Sequence, residues 1–268
     1  MIPVAFDYQK VSTVDEAIAA LAAGDAKILA GGHSLLPAMK LRLNQPAKLV
    51  DISRISTLKG ITEDNGEVVI GAGTTHGEIA GDAVINVRLP FFAQAASLIG
   101  DVQVRNHGTI GGSLAHADPA ADWGALVLAA DATIDVAGSN GRRSIPASAF
   151  FTGLFSTALE EGEIITDIRV PIPPDGTKTT YQKFMQPASR FAIVGCAVMR
   201  KPDGSKSIAF TGVSECPFRD SGAEAADSDA AAVGAAVEGI TVMSDHFASE
   251  AYRRHLAKVY LKRALQEV

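Results

Sequence analysis

The chain has 268 residues, 47% of them hydrophobic and 20% charged, with a formal net charge of −6 and two cysteines. That is enough chain for one large domain or two modest ones with a packed core, and the composition excludes disorder and collagen-like structure. The mild acidity argues against nucleic acid as a main partner, and two cysteines furnish neither the four thiolates of an iron–sulfur cluster nor a disulfide framework. No stretch reads as a signal peptide. The longest apolar run, Trp123 to Ala130, is far short of the ~20 residues of a membrane helix. The expected location is therefore the cytoplasm, with Cys196 and Cys216 as reduced thiols. The uneven feature is the placing of 25 glycines.

The chain opens as an α/β unit. Ser12 and Thr13 are candidate N-caps, with Glu16 spaced for a capping box, and helical spacing runs from Val14 to Ala23 and stops at Gly24. A short strand from Lys27 to Ala30 enters Gly31-Gly32-His33-Ser34, then a helical turn carries Met39 and Leu41, and Lys48 to Ile52 is a further strand. Ile55–Ile61 and Glu67–Gly71 read as strands flanking an Asp64-Asn65-Gly66 turn. Thr74 or Thr75 caps a helix bearing His76, Glu78 and Ile79, and a second helix spans Phe91 to Ile99. A glycine loop, Gly108 to Ser113, precedes Asp122, which heads a helix from Trp123 to Ala130. Strands are expected at Ala132–Ala137 and Glu163–Val170, with a short helix at Ile145–Phe150.

Three prolines and a glycine between Pro171 and Gly176 mark the best boundary. The expected units are 1–175, with subdomains of 1–55 and 56–175, and a C-terminal α+β unit of 176–268. The latter reads as three antiparallel strands (Thr179–Met185, Ala192–Met199, Ser207–Val213), an alanine-rich helix from Ala223 to Val237 and a terminal helix from His246 to Glu267. The basic cluster Arg253, Arg254, Lys258, Lys262 and Arg263 is placed late in that helix, where positive charge suits the macrodipole.

The glycines suggest chemistry at two places. In Ala30-Gly31-Gly32-His33-Ser34-Leu35, paired glycines let amides converge on an anion, and Ser34 adds a hydroxyl. The competing reading is a tight turn needing positive φ. Thr109-Ile110-Gly111-Gly112-Ser113 repeats the pattern, and two such loops fit an extended ligand with a diphosphate at its middle. Asp118 and Asp122 suit sugar-like hydroxyls, although Asp122 equally suits a helix N-cap. His116 and Asp118 leave a metal site short of ligands. Gly71-Ala72-Gly73-Thr74-Thr75-His76-Gly77 is one residue too long for a dinucleotide fingerprint and lacks its acidic partner, so it reads as a strand-to-helix turn. No hydrolytic motif is present.

At Ala30–Pro37 (AGGHSLLP) and Thr109–Asp122 (TIGGSLAHADPAAD) the sequence resembles the FAD-binding medium subunit of molybdenum hydroxylases, of the carbon monoxide dehydrogenase type and related to the xanthine dehydrogenase flavin domain. The resemblance extends over essentially the whole chain, including Gly141–Ile145 (GRRSI) and Glu163–Ile168 (EIITDI). It implies an α+β, two-subdomain FAD-binding fold of the vanillyl-alcohol-oxidase type followed by a small antiparallel-sheet-plus-helices domain. By the same matching, Ala30 to Leu35 wrap the FAD diphosphate and Thr109 to Ser113 contact the same region and the ribityl chain. Asp122 also binds FAD, the Ile165 backbone meets the flavin's pyrimidine edge, and Lys183 lies near the isoalloxazine, unless it is an exposed strand lysine. Xanthine-dehydrogenase-like members place an aromatic on the ring just before the second loop; here that position falls near Ile99, and Tyr181 is the expected substitute.

The implied function is electron transfer within a complex. A large subunit holds the molybdenum cofactor, a small one holds [2Fe-2S] clusters, and the assembly is expected to be a dimer of heterotrimers. The alternatives are a nucleotide-binding or assembly module without redox function, and a nicotinamide-dependent enzyme using Gly71 to Gly77.

Overall fold

Three sheets follow one another along the chain in the computed structural model, which describes all residues from Met1 to Val268. The first comprises β1 (Asp7–Lys10), β2 (Ala26–Leu29) and β3 (Lys48–Asp51), all parallel, in the order β1-β3-β2. Parallel neighbours need crossovers, supplied by α1 (Val14–Ala22) and α2 (Leu35–Lys40). Thr13 is the N-cap of α1, its hydroxyl accepting from the Glu16 amide at 3.1 Å, and the Glu16 carboxylate reaches back to the Ser12 amide at 2.7 Å. A small core of Val11, Ala17, Val50, Ile52 and Ile55 lies between these helices and strands.

The second body is antiparallel, in the order β4-β5-β10-β6-β7. Its strands are β4 (Ile61–Asp64), β5 (Glu67–Gly71), β6 (Thr133–Gly138), β7 (Gly141–Pro146) and β10 (Ile164–Pro171). Between β5 and β6 run α3 (His76–Gly81), α4 (Ala83–Arg88), α5 (Pro90–Leu98), α6 (Val102–Arg105), α7 (Ile110–His116) and α8 (Trp123–Ala129). Between β7 and β10 lie α9 (Ala147–Phe150) and the hairpin of β8 (Phe151–Gly153) with β9 (Ser156–Thr157). Asn65 and Gly66, both at positive φ, make the two-residue turn expected between β4 and β5. The strand expected over Ile55–Ile61 is instead a 3₁₀ turn, Ser56–Leu58, and pairing begins only at Ile61. Leu58 is buried there, and its carbonyl accepts from the Gly73 amide.

The third body pairs β11 (Lys178–Met185), β12 (Ala192–Arg200), β13 (Lys206–Thr211) and β14 (Phe218–Arg219), followed by α10 (Ser221–Glu224), α11 (Asp229–Ala235) and α12 (Glu250–Glu267). Side chains alternate across a strand, and both faces of this sheet are covered. Cys196, Val198, Ile208 and Phe210 pack with Leu256, Ala257 and Leu261 of α12, whereas Tyr181, Ala197, Met199 and Ala209 join the core built around α8. The third body is thus locked against the second.

Three expectations fail here for local reasons. The alanine-rich stretch is two helices, because Ser228 caps a new one by accepting from the Ala231 amide. The terminal helix starts at Glu250 behind the Ser249 cap, since Asp245 holds the preceding turn through the Phe247 and Ala248 amides. Arg253 and Arg254 therefore lie in its first turns. Buried Arg253 donates to the Ile193 and Gly212 carbonyls and pairs with Asp245, so its role is to tie segments together, not to complement a helix end. No helix is long and apolar enough to cross a membrane.

Candidate functional site

A cleft of about 480 Å³ opens where the three bodies meet. The first body contributes residues of β2 and the segment after it, the second contributes His76 and residues between Ile99 and Asp122, and the third contributes Ser189 to Phe191.

Ala30 to Leu35 all line this cleft. Gly31 is required by packing: a Cβ there would lie 2.0 Å from the His107 carbonyl oxygen, so only glycine lets the two segments touch. Gly32 has φ +74°, the left-handed turn that glycine adopts without strain. The segment is thus a tight turn that also leaves its amides without protein partners. From Gly31 to Leu35, five consecutive backbone N–H groups donate to no protein acceptor, whereas the next, Leu36, donates to the Gly32 carbonyl at 3.1 Å. The His33 and His107 rings stack across the two segments with centroids 5.6 Å apart.

The second glycine pair is not a loop. Thr109 caps α7, its hydroxyl accepting from the Gly112 amide at 3.1 Å, so Gly111 and Gly112 form the first turn of a helix. Of the predicted residues, Thr109, Gly112 and Ser113 line the cleft, while Ile110 and Gly111 are buried behind it. Their amides donate to the Thr74 and Ala72 carbonyls, and a Cβ on Gly111 would come 2.5 Å from that of Ala72. Gly111 is therefore a close-packing position against Ala72, just past β5. Gly71 and Gly73 similarly pack on the Leu58 carbonyl, and Thr75 with Glu78 forms a capping box at α3, so this stretch is the strand-to-helix turn anticipated for it.

Asp122 lines the cleft from below and is 4% exposed. It makes no capping bond to α8. Instead its carboxylate accepts from Lys183 Nζ at 2.9 Å and from the Tyr181 hydroxyl at 2.5 Å. Burial pushes the carboxyl above its ordinary value, against the pull of Lys183 and Tyr181, and the same burial holds the Tyr181 phenol firmly protonated. Lys183 is no exposed strand lysine: it stands behind the wall and reaches the cleft through Asp122. Tyr181, 1% exposed and committed to Asp122, cannot cover a bound ring. Ile165 is buried in β10 beside an irregularity in its pairing with β6, and it is not part of the cleft wall. Asp118 lines the cleft while bonding the Ala120 amide.

Sequence reasoning missed the residues the third body brings. Phe191, 43% exposed, and Arg190 stand at the tip between β11 and β12 and line the cleft. That tip is held internally by Arg190 N to Gln186 O at 2.8 Å and is tied to the second body by Ala192 N to Ala120 O at 3.1 Å. The available signal was an aromatic closing a polar loop too long for a plain hairpin turn. His76, at the start of α3, also lines the cleft.

A cleft of this size is of the order that encloses a small-molecule cofactor. A run of bare amides on one wall, with no carboxylate among them, suits an anion. Elsewhere in the lining, half-exposed Phe191 offers a face for a planar ring. The residues thus fit a ligand that joins a planar ring to a diphosphate.

Comparison with known proteins agrees with this geometry. The family described as "FAD binding domain in molybdopterin dehydrogenase" matches residues 4–173, and "CO dehydrogenase flavoprotein C-terminal domain" matches residues 179–268. The carbon monoxide dehydrogenase medium chain of Hydrogenophaga pseudoflava is 46% identical over 83% of this chain and 79% of its own length. The glyceraldehyde dehydrogenase medium chain of Sulfolobus acidocaldarius is 36% identical over 100% of both chains. A solved carbon monoxide dehydrogenase from Hydrogenophaga pseudoflava, lacking the Mo-pyranopterin moiety of its cofactor, superposes with a TM-score of 0.95 at 42% identity, covering 100% of this chain and 98% of that one. The chain belongs to the FAD-binding medium subunits of the molybdenum hydroxylases, as an oxidoreductase flavoprotein subunit with a two-domain fold of mixed helix and sheet.

Proposed function

We propose that this chain carries FAD in the cleft and passes electrons from the iron–sulfur clusters of a partner subunit to an external acceptor. The observation that carries the proposal is the run of unpaired amides from Gly31 to Leu35 on the cleft wall. These amides, with the Ser34 hydroxyl and the Ala30 backbone, would hold the diphosphate. Thr109, Gly112 and Ser113 face the cleft and would contact the diphosphate and ribityl chain, with Ile110 and Gly111 fixing that turn from behind. Asp122, made rigid by Tyr181 and Lys183, would bind the cofactor directly, and Lys183 would act through it. Phe191 would cover the isoalloxazine in the place first given to Tyr181. For Ile165, a backbone contact with the pyrimidine edge is supported by the family resemblance and the irregularity in β10. FAD when bound supplies a centre able to accept electrons and hand them on; the chain's residues only bind and orient it.

On this reading the molybdenum cofactor sits on a large subunit and the [2Fe-2S] clusters on a small one. Substrate is selected on the large subunit, and the assembly is a dimer of heterotrimers in the cytoplasm. The chain divides at 175, with subdomains of 1–55 and 56–175, in the arrangement of vanillyl-alcohol-oxidase-type flavoproteins. The alternative of a module without redox function rests on a missing ring-facing aromatic, and Phe191 in the cleft lining is the candidate for that place. The test is to purify the chain with its neighbours. A yellow spectrum, FAD released on denaturation and two co-purifying chains bearing iron and molybdenum are expected. A colourless protein that takes up no FAD on reconstitution refutes the proposal.

A further inference from the structure

His76 begins α3 behind the Thr75 cap and is 5% exposed. Its backbone amide donates to the Gly108 carbonyl at 2.9 Å. The Trp123 indole N–H donates to its Nδ1 at 3.1 Å. An indole nitrogen only donates, so Nδ1 must carry a lone pair and the ring proton must reside on Nε2. That Nε2–H meets no protein acceptor, and the residue lines the cleft. Gly108 leaves this edge of the ring bare: a Cβ there would lie 2.8 Å from Nε2. Gly108 in turn abuts Gly31, whose own Cβ would lie 2.8 Å from the Gly108 Cα. This unpartnered nitrogen thus lies beside the start of the bare amide run, with only Gly108 between it and Gly31. Burial, with His33 and Arg105 nearby, lowers the His76 pKa from 6.5 to about 4, so the ring is neutral near pH 7.

We propose that His76 is a diphosphate-binding residue: its Nε2–H donates into the cleft to a diphosphate oxygen of the bound dinucleotide, and Trp123 is the positioning residue that holds the tautomer able to do so. The inference rests on the reading that FAD occupies this cleft. A core histidine would spend both ring nitrogens within the protein, and this one spends only Nδ1. Protonating Nδ1 would leave the buried Trp123 donor without an acceptor, so the pair acts as a fixed neutral donor and not as a titrating cation.

The test uses the full chain stripped of flavin, titrated calorimetrically with FAD, ADP and riboflavin. His76→Leu should weaken FAD and ADP about 10- to 100-fold, the worth of a hydrogen bond to a charged acceptor, and leave riboflavin within about twofold. His76→Gln, whose amide nitrogen can take the place of Nε2, should bind FAD within about threefold of the unmodified chain. Trp123→Phe frees Nδ1 to take a proton beside the diphosphate, so its FAD affinity should rise as pH falls from about 7 toward 4, while that of the unmodified chain stays flat. The proposal is overturned if His76→Leu, folded by circular dichroism, binds FAD as tightly as the unmodified chain. Equal losses for Leu and Gln would make the role structural, and an equal loss for riboflavin would move it away from the diphosphate; either result also overturns it. An unmodified chain that binds neither FAD nor ADP instead refutes the placing of FAD in the cleft.

Discussion

Replacing Lys183 by methionine should make the stability of this chain strongly pH-dependent. Lys183 is the one cation within bonding distance of Asp122, at 2.9 Å, and the carboxylate is 4% exposed. Breaking a buried pair by removing one partner costs about 3–5 kcal/mol. Without that cation the native Asp122 pKa moves further up in the variant, because the charge that opposes the burial is gone. The native value already lies above the ordinary 3.8, so the direction is set. A raised native pKa contributes stability that is full below the unfolded value and lost as pH rises through the native value. Lys183→Met should therefore stand near the unmodified chain at about pH 5 and fall about 3–5 kcal/mol below it by about pH 8. Adding Asp122→Asn removes the charge and keeps an acceptor for the Tyr181 hydroxyl, so the double variant should recover most of the loss and its pH dependence. Urea unfolding of the flavin-free chain, midpoint and slope at each pH, measures this. A loss equal at both pH values, or below about 1 kcal/mol, would contradict the assignment of a desolvated charge pair to this position.

Further outcomes follow from individual contacts. Gly31→Ala places a Cβ 2.0 Å from the His107 carbonyl. It should destabilise by about 1–3 kcal/mol through overpacking and lower FAD retention, read from the flavin absorbance of the gel-filtered protein; unchanged retention would dissociate the loop contact from the site. Phe191→Ala, at an exposed tip, should leave the melting temperature within about 2 °C and weaken FAD about 2- to 10-fold by loss of ring stacking. Phe247→Ala, 50% exposed and outside the cleft lining, is the control that should not. For His76 the native pKa of about 4 lies below the ordinary 6.5, so its contribution is full above pH 6.5 and is lost as pH falls toward 4. By linkage that window is worth about 3 kcal/mol, and His76→Gln should abolish this part of the acid destabilisation seen by urea titration.

Much of the fold is legible because it follows local rules. The Thr13/Glu16 cap, the Asn65-Gly66 turn and the Pro171–Gly176 break each act over a few residues, and the structure realises each beside the element it delimits. Local rules also explain the failures. Two adjacent glycines disfavour a helix, yet Gly111 and Gly112 begin α7 because Thr109 caps it and Ala72 leaves room for no side chain. The short helices α4 and α6 went unread because Asp82 and Asp101, which cap them, look like ordinary polar breaks. At the site, the glycine loop after β2 could be read as an anion cradle from composition alone. The roles of Asp122 and Phe191 could not. Asp122 meets a lysine 61 residues away, and Phe191 reaches the cleft from a hairpin that is tied to Ala120 across the body boundary. Such contacts are set by how the three bodies pack, and no periodicity records them.

The bare amides from Gly31 to Leu35 are proposed to hold a dinucleotide diphosphate. A crystal structure of the chain reconstituted with FAD tests this most directly. The account predicts diphosphate oxygens within about 3.2 Å of the amide nitrogens in this run, with the isoalloxazine against Phe191. A diphosphate bound elsewhere, with those amides facing only water, would contradict it.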